Sequence, residues 1–185
     1  MVKPKLFLLL LGCKPAGRNT EQHDIFFGIA ASLAELKPEI ESFWPEAQSK
    51  IHIDSWREVN SVDGYSIRIE ERTTDSPTET NKLFFINLGG YKPNDLEEYH
   101  YKLLVVAPDK GKAIDQAKQT AFYKHCGFPG ATSHIDDKYG IDVDDIYEIE
   151  DILPVAIKNK YVIKISTGSD KEDELHIGYL KLSKL

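Results

Sequence analysis

Apolar residues in this chain gather in short runs separated by polar stretches, and the order of runs comes twice. Leu6 to Leu11 is continuously apolar, too short for a helix and stopped by Gly12, which predicts a central strand buried on both faces. After a loop rich in turn formers, Cys13 to Thr20, Ile25 to Ala31 reads as a second strand, and the Val- and Leu-rich segment Leu103 to Ala107 is its later counterpart. Without a gap, Lys5, Leu6, Phe7, Leu11, Gly12, Glu21, His23 and Ala30 fall on Lys82, Leu83, Phe84, Leu88, Gly89, Glu98, His100 and Ala107, 77 positions later. Such self-similarity predicts a duplicated structural unit.

A helix should follow the second strand of each copy. Ser32 with Glu35 three residues on has the form of a capping box, and Asp109 is a good N-cap at the corresponding offset. Ala113, Ile114, Ala117, Ala121 and Phe122 recur at helical spacing, and Gly127 is placed as a C-cap. In the first copy Leu33, Leu36, Ile40, Phe43 and Trp44 keep the period, while Pro38 should kink the helix or delay its start and Pro45 should stop it. His52-Ile53-Asp54 is matched here with His134-Ile135-Asp136, displaced by 82, which places about five extra residues near 127–133. Val62-Asp63-Gly64-Tyr65 is matched with Val143-Asp144 and Tyr147. Tyr65, Ile67 and Ile69 alternate with polar residues, the pattern of a half-buried strand after an Asp-Gly turn. Each unit therefore reads as strand, loop, strand, helix, irregular segment, strand.

Glu71 to Asn81 lacks apolar residues and contains Pro77, so it reads as a linker. Beyond Pro154, Tyr161 to Ile165 and Leu175 to Leu180 flank a polar run, the pattern of a long-looped hairpin added at an edge or used as a subunit contact. The expected fold is α+β, a mixed α/β sandwich. Its parts are a first repeat over 5–71, a linker over 72–81, a second repeat over 82–154 and a C-terminal β-hairpin over 155–185, the repeats sharing one core. A fused repeat can mimic a symmetric dimer, which makes a homodimer a partner arrangement to test.

The KLFxxxLG opening, the Glu-x-His pair, the His-Ile-Asp marker and the later Val-Asp-x-Tyr element resemble a bacterial family of unassigned activity, domain of unknown function 1543. Its members carry one or two copies, and the resemblance covers residues 5 to 154. It implies tandem copies and no particular chemistry.

Composition narrows the partners. Of 185 residues, 41% are apolar and 29% charged, as in soluble globular proteins, and a net charge of -7 opposes the basic surface that nucleic-acid binders need. The expectation is therefore no nucleic acid. Leu6 to Leu11 is far shorter than the roughly 18 apolar residues of a membrane span, so no membrane partner is expected. Leu10-Leu11-Gly12-Cys13 has the form of a lipoprotein cleavage box, yet Phe84 to Gly90 carries the same strand inside the chain, which favours a structural strand in a cytoplasmic protein. Cys13 and Cys126 are not repeat-equivalent and read as small packing residues.

Of six histidines, four form matched pairs in this reading: His23 with His100, and His52 with His134. Residues two apart on a strand share a face, so Glu21 with His23, Glu98 with His100, His52 with Asp54, and His134 with Asp136 can each present a carboxylate beside an imidazole. Such pairs can ligate a divalent metal, through His23, His100, His52 and His134, or supply an oriented base, Glu21 or Glu98. The spacing matches no established metal motif, so carboxylates that merely orient their histidines are the weightier reading. Gly12-Cys13-Lys14 and Gly89-Gly90-Tyr91-Lys92 place glycine amides and a lysine at strand ends, where anions and small ligands bind, with Asp54 and Asp136 nearby in sequence pattern. The acidic run Asp136 to Asp151 carries the whole net charge and reads as a solvated or partner-docking face. These features point to a non-catalytic module that binds a small molecule or protein, with a metal-assisted hydrolase as the alternative; beyond a divalent metal they name no cofactor.

Overall fold

The computed structural model describes residues 3–47, 50–74, 80–91, 96–125, 142–169 and 171–185, with backbone alone for 90–91, 120–125 and 142. Among these residues the chain divides into two compact units, Met1–Pro77 with Leu153–Leu185, and Thr78–Ile152. Both are sheet-and-helix structures in which every paired strand is antiparallel. No helix among the described residues is long and apolar enough to cross a membrane.

The first unit is organised by the apolar run at the N-terminal end. Strand β1 (Lys5–Cys13) lies between β2 (Gln22–Ala30) and β3 (His52–Glu58). Alternate residues Phe7, Leu9, Leu11 and Cys13 enter one cluster with Phe26, Leu36, Ile40 and Ile53. Leu36 and Ile40 come from a 3-10 turn (Leu33–Leu36) and helix α1 (Lys37–Phe43). Pro38 sits in the first turn of α1, where its missing N–H costs nothing, so it delays the helix without kinking it. The expected box does not form: the Ser32 side chain makes no cap bond, and Glu35 reaches back past the cap to accept from the Ala31 N–H at 3.1 Å.

Strands β4 (Ser61–Val62) and β5 (Tyr65–Glu71) turn at Asp63 and Gly64, both at positive φ, 51° and 80°. That is the two-residue hairpin the Asp-Gly pair encodes. On β5 Ile67 and Ile69 are buried while Arg68 and Glu70 are exposed, the expected alternation.

In the second unit β6 (Lys82–Tyr91) lies between β7 (Glu98–Ala107) and β8 (Asp142–Glu148). Helix α2 (Lys110–His125) covers one face, burying Ala113 and Ala117 against Phe84, Ile86, Leu88 and Val105. Its start is capped as expected: the Asp109 carboxylate accepts from the Lys112 N–H at 2.9 Å. Gly127, like Cys126, lies outside the described residues. The short helix α3 (Ile149–Ile152) ends this unit, and α4 (Val155–Lys160) re-enters the first.

The C-terminal strand pair, β9 (Tyr161–Thr167) and β10 (His176–Lys181), extends two edges of the first unit: β9 joins β5, and β10 joins β3. The intervening loop is pinned by Asp173, whose carboxylate accepts from the N–H groups of Asn60 and Ser61 at 3.0 and 3.3 Å. The consequence for chemistry is that β3 is an interior strand, between β1 and β10.

Two strands escape the sequence pattern. His52–Glu58 and Asp142–Glu148 fall where an irregular segment or a different marker is expected, yet each pairs along a central strand. Both contain a bulge. The register shifts between Leu10 and Leu11 opposite β3, and between Asn87 and Leu88 opposite β8, leaving Asp54 and Asp144 as the unpaired extra residues. The bulge changes the apolar spacing from two to three, so Ile53 with Trp56, and Val143 with Ile146, all pack on the helix-covered clusters.

Candidate functional site

Gly12 is the floor of the site in the first unit. It pairs across β2 with His23 and across β3 with His52, so the three side-chain positions share one face of the sheet. That face is opposite to the one where Leu11 and Cys13 meet α1. Glu21, just before β2, lies two residues from His23, and the bulge turns Asp54 toward the same point.

The four side chains close a ring. His52 Nε2 lies 3.2 Å from Glu21 Oε1 and 3.3 Å from Asp54 Oδ1. His23 Nε2 lies 3.2 Å from Asp54 Oδ2 and 3.8 Å from Glu21 Oε2. Each carboxylate thus spans both imidazoles, one oxygen to each. An Nε2–H can direct one good hydrogen bond, and here each Nε2 faces two oxygens. Asp54 Oδ2 is buried and, among the described residues, accepts no well-aligned hydrogen bond, although His23 Nε2 lies 3.2 Å away. Burying an unsatisfied carboxylate oxygen is costly, and a cation among these atoms would relieve it.

The ring has a closed side and an open side. His52 is only 8% exposed, its ring packed against Tyr179 of β10 with centroids 4.5 Å apart. Farther along β3, on the helix-covered face, Trp56 stacks on His176 at 3.9 Å. Glu21 and His23 are 45% and 44% exposed and form the mouth. Glycine leaves room beneath: a Cβ at position 12 would run into His52 Nε2 and lie 2.6 Å from Asp54 Oδ2, so the ring would have to shift.

A related cluster stands in the second unit. Gly89 pairs with His100 on β7 and with Asp142 on β8, as Gly12 does with His23 and His52. Ligand atoms of Glu98, His100 and Asp144 all lie within 4.8 Å of one another, with His100 Nε2 3.3 Å from Asp144 Oδ2. A Cβ at position 89 would meet Asp144 Oδ2 at 2.5 Å and Glu98 Oε1 at 2.8 Å. At the far end of each central strand Lys5 binds Glu58 and Lys82 binds Glu148, both at 2.7 Å.

These registers change which segments correspond between the two units. The segment that takes the place of His52-Ile53-Asp54 is Asp142-Val143-Asp144, displaced by 90, and not His134-Ile135-Asp136. The expected match of Val143-Asp144 to Val62-Asp63 fails for the same reason. His134, Asp136 and Lys92 lie outside the described residues. Asp144 was missed as a site residue because it sits in the acidic run read as a solvated face. The detectable signal was Asp-x-x-x-Glu, shared by Asp54 with Glu58 and by Asp144 with Glu148.

The glycines do not form anion-binding loops. Gly12, Gly89 and Gly90 lie inside ladders, their backbones paired with neighbouring strands, and Lys14, just past β1, is exposed. Cys13 is free and buried, its Sγ 3.8 Å from the Ala47 carbonyl oxygen. Burial pushes its thiol up, with Lys50 opposing and Glu21 adding to the shift, as suits a packing residue.

Residues 18–69 match the model of a domain of unknown function, DUF1543. That span contains Glu21, His23, His52 and Asp54, and leaves out the Gly12 floor. Over nearly its whole length the chain is also similar to the crystal structure of a protein Il1583 from Idiomarina loihiensis. The two share 25% identity over 97% of each chain, with a TM-score of 0.65. No curated protein matches the sequence.

Proposed function

We propose that the first unit is a divalent transition-metal-binding module, with Glu21, His23, His52 and Asp54 as ligands. The observation that carries this reading is the ring itself, in which two imidazole Nε2 atoms and two carboxylates alternate at 3.2 to 3.8 Å. A tetrahedral ion with bonds of about 2.1 Å sets its ligand atoms about 3.4 Å apart, so binding would draw the two imidazoles onto one oxygen of each carboxylate in place of the separate oxygens they now face. Nitrogen and oxygen ligands together suit zinc, manganese or iron better than calcium or magnesium, which favour all-oxygen shells. The small-ligand binding expected of the chain becomes, in this reading, binding of an ion and of whatever coordinates it from the open side.

The test is elemental analysis of untagged protein purified without chelator, followed by zinc and manganese titration. One equivalent should disappear in the His23→Ala plus His52→Ala variant while its circular dichroism stays that of the wild type. Absence of metal as isolated, with no binding on titration, would overturn the proposal.

A second reading, the metal-assisted hydrolase, draws support from the half-exposed mouth, since catalytic ions keep a position open to water. Glu21, on that side, would leave the ion to act as base. Hydrolysis of simple esters or phosphoesters that survives neither chelation nor Glu21→Gln would favour it.

The two three-stranded frames are further proposed to descend from one duplicated unit. What supports this is the recurrence of pairing order, bulge position, glycine floor and Lys–Glu cross-strand bond.

A further inference from the structure

We infer that Glu98, His100 and Asp144 form a second cation site, one that discriminates less between zinc and manganese than the ring of the first unit. The contrast in preference rests on the proposed first centre; the existence of the second site does not.

The three ligand atoms converge within 4.8 Å, from the first residue of β7, the residue paired with Gly89, and the bulge of β8. Three ligands on three different backbone positions gather over a glycine, and a methyl group at residue 89 would already touch both carboxylates. His100 and Asp144 are 39% and 27% exposed, so an ion can enter and keep water in its remaining positions. Three protein ligands with water completing the shell is a common arrangement for an exchangeable ion.

The chemical difference lies in one residue. Opposite the floor glycine the first unit places His52, and the second places Asp142. Among the described side chains the first cluster therefore offers two imidazoles and the second one, His100, beside the carboxylates of Glu98 and Asp144. Imidazole favours zinc, whereas carboxylate and water suit manganese. Zinc still binds either site more tightly than manganese, by the general order of divalent affinities, but its advantage narrows as nitrogen ligands are lost.

The experiment uses the full chain and its site variants, with manganese and zinc ions as probes. Free manganese is followed by its electron paramagnetic resonance signal, and zinc is added in competition. Wild type should bind two manganese ions per chain. His100→Ala plus Asp144→Asn should bind one, and so should His23→Ala plus His52→Ala. The ratio of manganese to zinc dissociation constants should be at least about tenfold smaller when only the second site remains than when only the first does. Glu98→Gln, nearly isosteric and partly exposed, gives an independent check that does not depend on the fold tolerating two changes: it should weaken the second site at least about tenfold, a loss set by one charged ligand. Unchanged manganese stoichiometry and affinity in both second-unit variants would overturn the site, whatever the first unit does. A second site with a metal ratio equal to or above that of the first would overturn the preference. Failure of the first unit alone would show as a first-unit variant that loses nothing while the second-unit variants still lose their ion.

Discussion

The two clusters stand on the same kind of frame and differ in what closes them. In the first, β3 is interior, β10 covers it, and Tyr179 holds His52 so that it is nearly inaccessible. In the second, β8 ends the three-stranded order among the described residues, and His100 and Asp144 remain partly open. A glycine floor and a bulged aspartate are enough to bring a carboxylate and an imidazole together. A neighbouring strand is what fixes them. The first site should accordingly be rigid and selective, the second adaptable and weaker, and variants can separate floor, cover and frame.

Filling the floor should have the largest effect, and an unequal one. In Gly12→Ala the new methyl meets a buried imidazole already packed against Tyr179. Stability should fall by about 1–3 kcal/mol, as for other overpacked positions, and metal binding by the first unit should be lost. In Gly89→Ala the methyl meets the ends of carboxylates that can swing outward. The cost should stay below about 1 kcal/mol, although the second cluster is dispersed. Urea denaturation read alongside metal binding checks both; equal costs would mean that cover does not matter.

Removing the cover comes next. Tyr179→Ala deletes the ring contact on His52 and should cost about 0.5–1.5 kcal/mol while speeding zinc release to a chelator. A release rate like that of the wild type would contradict a holding role for β10.

The Lys–Glu bonds test the frame and should matter least. Lys5→Met should cost about 0.2–1 kcal/mol in thermal unfolding, since the pair is partly exposed. For Lys82 the effect is one of pH. The hydrogen bond to the Glu148 carboxylate, helped by its charge, raises the lysine above its ordinary value of 10.5. A group raised on folding stabilises fully below its unfolded value, and the contribution fades as pH rises through the higher folded one. Lys82→Met should therefore be less stable than wild type at pH 8, with the difference shrinking as pH rises beyond the ordinary lysine value of 10.5.

Much of this fold was legible in the sequence. Leu6–Leu11, Ile25–Ala31 and Leu103–Ala107 announce buried strands, Asp109 announces a helix start, and Asp63-Gly64 announces a hairpin. The strands that carry the aspartates were not legible, because a bulge breaks the two-residue period on which strand recognition depends. The same bulges aim the aspartates, so the device that builds the clusters also hides them. Glu21, His23, His52 and Asp54 could be named from the chain as two separate pairs. That they are one ring follows only from β1 pairing with both β2 and β3, a long-range register that local pattern does not contain. The second cluster was half legible: Glu98 and His100 were named, but the letters His-Ile-Asp drew the search for a partner aspartate to Asp136, outside the described residues, and away from Asp144 on β8.

The most direct test of the metal-centre reading is anomalous diffraction from crystals of the full chain soaked in zinc, with data collected on both sides of the zinc edge. The account predicts a peak within about 2.1 Å of both His23 Nε2 and His52 Nε2, touching one oxygen each of Glu21 and Asp54. A ring without a peak at full soaking concentration, its imidazoles hydrogen-bonded to the carboxylates, would contradict it.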